Sequence, residues 1–396
     1  MDLLRIDNRT ARRIFIDRHA LADPPTPKQS RGDLLTLIER LGFVQLDSIQ
    51  VVERAHHMIL FARNQTYRKT HLGALLEKDR SLFENWTHDA SIIPTRFFPQ
   101  WRAVFRNKGP LLAKRWQGYG REGFLEQAET VLAEIGRRGP CKTAELGQDE
   151  ARSSGGWWEW NPSKTALEYL WHTGDLCVCH RQNFHKVYDL TENVIPAEHR
   201  SHVPDRGALI DWSCREAMAR LGFATPGDLA KFWGLITPAE AKVWAARQNA
   251  LIEVEITGAD GSKPRKHLAH PDLLAEEPPA PPGRVRILSP FDPMIRDRKR
   301  AKRLFNFDYT IEVFVPEAKR KYGYYVFPIM EGDAIIGRID MKADRAEDAL
   351  IVKALWLENR VKLSQARLTR LEAELERQRR FAGVAQTRFT DGWVRT

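Results

Sequence analysis

The strongest constraint on the fold is an order of elements that occurs twice along the chain. Residues 124–138 carry apolar side chains at helical spacing and end at Gly139-Pro140, a helix stop. Residues 142–147 predict a short second helix and 163–173 a third, with Asn161 or Pro162 near its start. Two strand-like runs follow, 176–180 and 185–190, joined by a polar turn around Arg181-Gln182-Asn183. Helix, short helix, helix and hairpin is the order of a winged helix. It recurs in a helix at 211–221 and in the helix starts Thr225-Pro226-Gly227-Asp228-Leu229 and Thr237-Pro238-Ala239-Glu240. The strand-like runs 251–257 and 266–269 complete it, with Gly258-Ala259-Asp260-Gly261 at the tip. Residues 1–120 read as a decorated third copy, the shared cue being element order and not sequence identity.

Within that first copy, helices are expected at 8–20, with Ile14 and Phe15 facing the core, and at 31–41, where Leu34, Leu35, Leu37, Ile38 and Leu41 recur at helical spacing. Asp23-Pro24-Pro25-Thr26-Pro27 separates the two, and Gly42 is placed to end the second. A helix at 51–62, an extended run at 81–86 and an aromatic-rich helix at 94–107 follow. Glu276-Glu277-Pro278-Pro279-Ala280-Pro281-Pro282-Gly283 is a stiff linker. Beyond it strands are expected at 285–288, 310–315, 322–330 and 333–340, then a charged helix at 362–381. The fold class is therefore α+β: three tandem winged-helix units (1–120, 121–200 and 201–275), then a β-rich C-terminal portion (284–396) ending in a terminal helix.

The 396 residues carry 62 Lys and Arg against 52 Asp and Glu, a formal net charge of +10. A positive balance favours a polyanionic partner. The charge is clustered: residues 296–303 hold six basic residues against one acid, with Phe305, Phe307 and Tyr309 just beyond. Basic residues interleaved with aromatics suit nucleic acid, and Arg296, Arg298, Lys299, Arg300 and Arg303 are the candidate phosphate contacts. A solvated helix face is the competing account of the same run. No apolar stretch has the length of a membrane span, and the N-terminus lacks the apolar core of a signal peptide. Four cysteines (Cys141, Cys177, Cys179, Cys214) are too few for a disulfide framework. A cytoplasmic location, in association with the nucleoid, is the expectation.

Several familiar chemistries are absent. There is no Walker loop, dinucleotide fingerprint or His-Glu-x-x-His, and no Gly-x-Ser-x-Gly elbow. Cys177-Val178-Cys179-His180 lacks the paired Cys-x-x-Cys knuckles of structural zinc and fits small residues in a buried wing strand. His56 and His57 are neighbours on a helix, about 100° apart, and are poorly placed to share a metal. One suits the core while the other faces DNA. Trp157-Trp158-Glu159-Trp160 suits a winged-helix core, with stacking on unpaired bases as the alternative.

One polar pair stands out. In Leu41-Gly42-Phe43-Val44-Gln45-Leu46-Asp47-Ser48-Ile49, Gln45 and Asp47 lie two apart in an apolar frame, on one face if the segment is extended. A carboxamide beside a carboxylate can hold and polarise a water. The same residues also suit a helix cap, with Asp47-Ser48-Ile49-Gln50 resembling a capping box.

That stretch, together with Glu53-Arg54-Ala55-His56-His57 and Phe83-Glu84-Asn85-Trp86-Thr87-His88-Asp89-Ala90-Ser91, resembles the winged-helix DNA glycosylases that unhook interstrand crosslinks. This is the YcaQ-like family, related to the azinomycin-resistance glycosylase. The blocks Leu288-Ser289-Pro290-Phe291-Asp292-Pro293-Met294-Ile295-Arg296-Asp297-Arg298 and Lys321-Tyr322-Gly323-Tyr324-Tyr325-Val326 fit it as well, so the similarity runs in order along nearly the whole chain. The family's signature is Gln-x-Gln or Gln-x-Asp. The resemblance thus implies Gln45 and Asp47 as catalytic residues, in the form associated with a wider range of N7-alkylated purines. His57, His88 and Asp292 lie in the matching blocks and are candidates to line the site. The implied activity is hydrolysis of the N-glycosidic bond of N7-alkylated purines and crosslinks by a monofunctional enzyme, acting as a monomer on double-stranded DNA with no metal or organic cofactor and no membrane. A non-catalytic winged-helix regulator is the alternative.

Overall fold

A computed structural model describes residues 4–119, 121, 123–147, 161–359 and 361–395. Trp157–Trp160, the tryptophan cluster singled out above, lies outside them. The described residues form an α+β fold with four sheets.

The first sheet carries the polar pair. Helix Arg31–Leu41 starts at a capping box in which Ser30 accepts from Asp33 N and Asp33 accepts from Ser30 N. It stops at Gly42, whose φ of 89° belongs to the left-handed half of conformational space. A Cβ there would also lie 2.6 Å from Arg220 Nε and 2.8 Å from Trp233. Glycine therefore satisfies both the turn and the packing, and the chain passes straight into strand Val44–Gln45. That strand pairs antiparallel with Ala90–Pro94, which in turn pairs with Leu82–Trp86.

The second sheet joins Cys141–Lys142, His185–Leu190 and Leu176–Gln182. Its hairpin turns at Asn183 and Phe184, both with positive φ, 49° and 69°. The pair matches the twist of a tight hairpin. Phe184 is held there by the Arg54 and Arg181 guanidiniums, 4.2 and 4.4 Å from its ring centre, and lies nearly parallel to His56. Arg181 also grips the buried Glu84 through Nη2 at 2.6 Å. This wing tip is docked onto the first region. The two wing-strand thiols, Cys177 and Cys179, are buried, and burial pushes both up, to about 12 and about 11.

The third sheet joins the N-terminal strand to the 201–275 region. Leu4–Ile6 pairs in parallel with Ile252–Ile256, the wing of the 201–275 region, and helix Asn8–Arg18 packs Ile14 and Phe15 into the core shared with Cys214, Ala217 and Met218. The pairing is made by backbone groups, so side-chain periodicity did not announce it. Two other expectations shift in this half. The helix placed at 51–62 begins only at Ala55, and the helix placed at 94–107 runs from Phe98 to Gln117.

The fourth sheet has six strands, ordered Val285–Ile287, Val326–Glu331, Ala334–Asp344, Ala349–Leu357 and Gln386–Phe389, with Val394–Arg395 also on Ala349–Leu357. Residues 310–315 do not form the expected strand. Glu312 instead accepts from Lys321 N, Tyr322 N and Gly323 N, closing a loop with the donors a ladder would use. Helix Gln365–Ala382 buries Leu371 and Leu375 in the core of this sheet.

The C-terminal portion is tied to the first region at several places. Ala343 N donates to Val51 O at 2.9 Å, just beyond the polar pair. Deeper, Arg63 and Asp292, 1% and 0% exposed, form a two-pronged ion pair with Nη2 to Oδ1 at 2.8 Å. Asp292, expected to line the site, is thus a structural group, and it also caps helix Pro293–Arg296 through Met294 N. Asp292→Ala leaves a buried guanidinium without its counter-charge and should cost about 3–5 kcal/mol of unfolding free energy. Urea denaturation followed by tryptophan fluorescence checks this, and an unchanged midpoint would contradict it.

Candidate active site

Strand Val44–Gln45 and the turn Thr87–Asp89 bring three polar groups together at one sheet edge. Gln45 is 5% exposed, and both ends of its amide are engaged. Nε2 donates to Asp89 Oδ2 at 3.1 Å, and Oε1 accepts from His88 Nε2 at 3.0 Å. His88 Nδ1 faces Arg296 Nη1 at 3.2 Å and the Thr87 hydroxyl at 3.1 Å. A guanidinium can only donate, so Nδ1 is the bare nitrogen and the imidazole proton sits on Nε2. The chain of donors runs Arg296 to His88 to Gln45 to Asp89 and fixes the orientation of the carboxamide. Gln45 retains one N–H and one lone pair.

The electrostatics agree with that assignment. Burial, then the charges of Arg296 and Lys231, push His88 down to about 3, so the ring stays neutral through the physiological range. Arg296 is lowered to about 10 by burial. Its guanidinium lies over Phe43 and Phe232, 4.9 and 5.0 Å from the ring centres, and donates to Phe232 O at 2.9 Å.

Asp47 follows Gln45 after the buried Leu46, and its side chain is half-buried. Oδ1 accepts from Ile49 N at 2.7 Å, an Asx turn, while the next helix begins only at Ala55. The helix-capping account of Asp47 therefore does not hold. Among the described residues, Oδ2 has no protein hydrogen-bond partner. Burial raises the Asp47 carboxyl above its ordinary 3.8, the Ile49 N–H opposes this, and the charge of Asp89 adds to the rise. Asp89 is raised too, by burial, against the pull of Ala90 N–H. Tyr325 lies on the same side: burial first, then the Asp47 charge, push its phenol up.

The remaining sequence-level candidates are dispersed. His57 is held by the Tyr67 hydroxyl at 2.8 Å, with its ring centre 4.1 Å from that of His56. Of the basic run, Lys299 and Lys302 are exposed, and Lys302 pairs with Asp308 at 2.7 Å. Arg300 is buried and donates to Phe223 O at 2.7 Å, with Asp228 Oδ2 at 3.4 Å. Arg303 donates to Ser262 Oγ, Ile256 O and Lys263 O, binding its helix to the wing at 252–269. Arg298 donates to Ile295 O and Pro290 O. Arg296, Arg298, Arg300 and Arg303 thus donate to internal carbonyls, and Arg296 also flanks Gln45 through His88. Their long apolar stems and fork of donors suit such half-buried work. Among the described residues no cluster of three or more His, Cys, Asp and Glu is placed to hold a metal ion, and no helix is long and apolar enough to cross a membrane.

A family model described as DNA glycosylase AlkZ-like matches residues 38–381. The chain belongs to this DNA glycosylase family. Among solved structures it resembles the Streptomyces sahachiroi DNA glycosylase AlkZ, with a TM-score of 0.66, 16% identity, and coverage of 98% of this chain and 100% of that one. Family membership favours a repair enzyme over the regulator left open by the sequence. It covers the polar pair, the His88 turn and the Arg296 loop in one matched span.

For a DNA glycosylase of the AlkZ-like family, Asp89 is the site group that sequence reasoning passed over. It stood in the quoted block beside His88, but no spacing rule tied it to Gln45, 44 residues away. Asp89→Asn keeps an acceptor for Gln45 and removes one negative charge, so the Asp47 pKa should fall back toward its ordinary value. Carboxylate carbon NMR over a pH titration reads this, and an Asp47 midpoint that stays put would uncouple the two residues.

Proposed function

We propose that this glycosylase hydrolyses the N-glycosidic bond of N7-alkylated purines, unhooking crosslinks among them, and leaves an abasic site. The supporting observation is the carboxamide of Gln45, fixed at both ends, next to an Asp47 carboxylate with one oxygen unclaimed. Alkylation at N7 puts positive charge on the base, which then leaves without a strong general acid. The C1′–N9 bond breaks with its electron pair going to the base, and the sugar acquires oxocarbenium character. An ionised Asp47 stabilises that cation and takes a proton from the water that adds to C1′. Gln45 orients the water through its remaining N–H or lone pair.

Two further features fit this reading. Neutral His88 adds no positive charge beside a cationic leaving base. A half-buried Asp47 suits a nucleotide that is tied to the opposite strand and cannot rotate into a deep pocket, unlike the flipped base of most glycosylases. We also read the helical part as three tandem winged-helix units, the first of which lends its N-terminal strand to the third. Lys299 remains the phosphate contact of the basic run.

Asp47→Asn is the direct test, on DNA carrying an N7-alkylguanine crosslink. Release of the crosslink and formation of an alkali-labile site should fall by about 10²-fold or more, the scale of losing a positioned general base, with DNA affinity little changed. In the unaltered protein the rate should rise with pH through a midpoint above 3.8, because the required form is the carboxylate and its pKa is raised. Undiminished turnover by Asp47→Asn would remove Asp47 from the chemistry.

A further inference from the structure

Helix Phe98–Gln117 presents an unbalanced positive charge. Its 20 residues include Arg102, Arg106, Lys108, Lys114 and Arg115 and no acid. Surface helices ordinarily set such cations against acids three or four residues away. Here the helix supplies none, and among the described residues none of the five has an ion-pair partner.

Arg102 and Arg106, one turn apart, open into a concavity of about 520 Å³ together with Arg200 from the helix Ala197–Arg200. Neither Arg102 nor Arg106 makes a hydrogen bond within the described residues. Arg200 uses Nε on Ile195 O at 2.9 Å, and both of its terminal nitrogens remain. Two carboxylates, Asp175 and Glu192, also border the space. Asp175 is already bonded by the Thr173 hydroxyl at 2.6 Å, and Glu192 is exposed. The groups that act on Arg102 are, after burial, the like charges of Arg106 and Arg200, with no acid among them. Three convergent guanidiniums against two carboxylates, with no ion pair between them among the described residues, leave a net positive site for a bidentate oxyanion.

The position of the helix is fixed relative to the active site. Trp101, adjacent to Arg102 and 1% exposed, donates from Nε1 to Trp86 O at 2.9 Å. Trp86 ends the strand that leads into His88 and Asp89. Phe98 stacks edge-on against Phe83 of the same strand, ring centres 5.2 Å apart.

We propose that Arg102, Arg106 and Arg200 bind backbone phosphates of the duplex arm flanking the lesion, a second DNA contact separate from the 296–303 run. This rests on the chain's being a DNA glycosylase. It does not depend on which base is excised.

The test measures affinity of the full chain for an unmodified duplex of about 30 base pairs by fluorescence anisotropy across a salt series. Each phosphate contact contributes about 0.9 to the slope of log K against log salt. Arg102→Gln/Arg106→Gln should weaken binding regardless of sequence and flatten that slope by about 1.8. Arg200→Gln, on a different element, should flatten it by about 0.9 and guards against a folding defect in the double variant. A wild-type slope in both variants overturns the proposal. So does a result in which inorganic phosphate raises the melting temperature of the wild type but not of the variants while the DNA slope is unchanged, since the site would then serve a free anion. Because binding is read on undamaged DNA, failure here leaves the Asp47 chemistry standing, and the converse also holds.

Discussion

The buried pair of Arg63 and Asp292 governs how the polar residues meet. Two charges removed from water are tolerated only when every donor and acceptor is matched. Arg63 meets that demand by also donating to His19 O and Ile59 O, at 3.0 and 2.9 Å. Asp292 meets it through Met294 N. Helix Ala55–Arg63, the end of helix Asn8–Arg18 and the turn at 292–296 are thereby fastened at one point. Arg296 is the last residue of that turn's helix, and from there its guanidinium reaches His88. Asp292 thus anchors the short helix from which Arg296 reaches His88 and, through it, Gln45.

The C-terminal sheet does more than extend the fold. Its strand Ala334–Asp344 hydrogen-bonds Val51, and Arg345 bonds Val52 O and the buried Glu53, which Lys69 also holds. The irregular segment between Asp47 and Ala55 has little ladder of its own. It is shaped by partners some 290 residues away, which explains why a helix was expected there and an Asx turn is found. A loop held this way keeps Asp47 in place while leaving it half-buried.

What was legible in the sequence followed from local rules. Helix Arg31–Leu41 and its Gly42 stop, helix Phe124–Arg138, the hairpin at 176–190, and the capping-box starts at Thr225 and Thr237 all stand where spacing and capping placed them. The polar pair was visible because period two brings Gln45 and Asp47 to one side. What escaped depends on long-range contact. The parallel pairing of Leu4–Ile6 uses backbone alone, the loop at 310–315 is folded by Glu312 rather than by a neighbouring strand, and Asp89 reaches Gln45 only through the sheet. The surroundings of the basic run were hidden for a related reason. A count of charges cannot distinguish a guanidinium facing solvent from one facing a carbonyl, and Arg300 and Arg303 face carbonyls.

Asp47 and Asp89 together explain why an aspartate at position 47 is more than a substitute for an amide. Two carboxylates near each other, each raised by burial, are an unfavourable arrangement in the resting protein. In the proposed reaction, a cationic purine, or the oxocarbenium that replaces it, relieves that repulsion when it arrives. The interaction therefore strengthens as positive charge passes from the base to the sugar, which is the condition for lowering a barrier rather than merely tightening binding. Arg296 reaches Gln45 only through neutral His88 and so stays one residue removed from the pair. An amide at 47 would remove the repulsion and its relief together, leaving orientation of the water as the only contribution from that side chain.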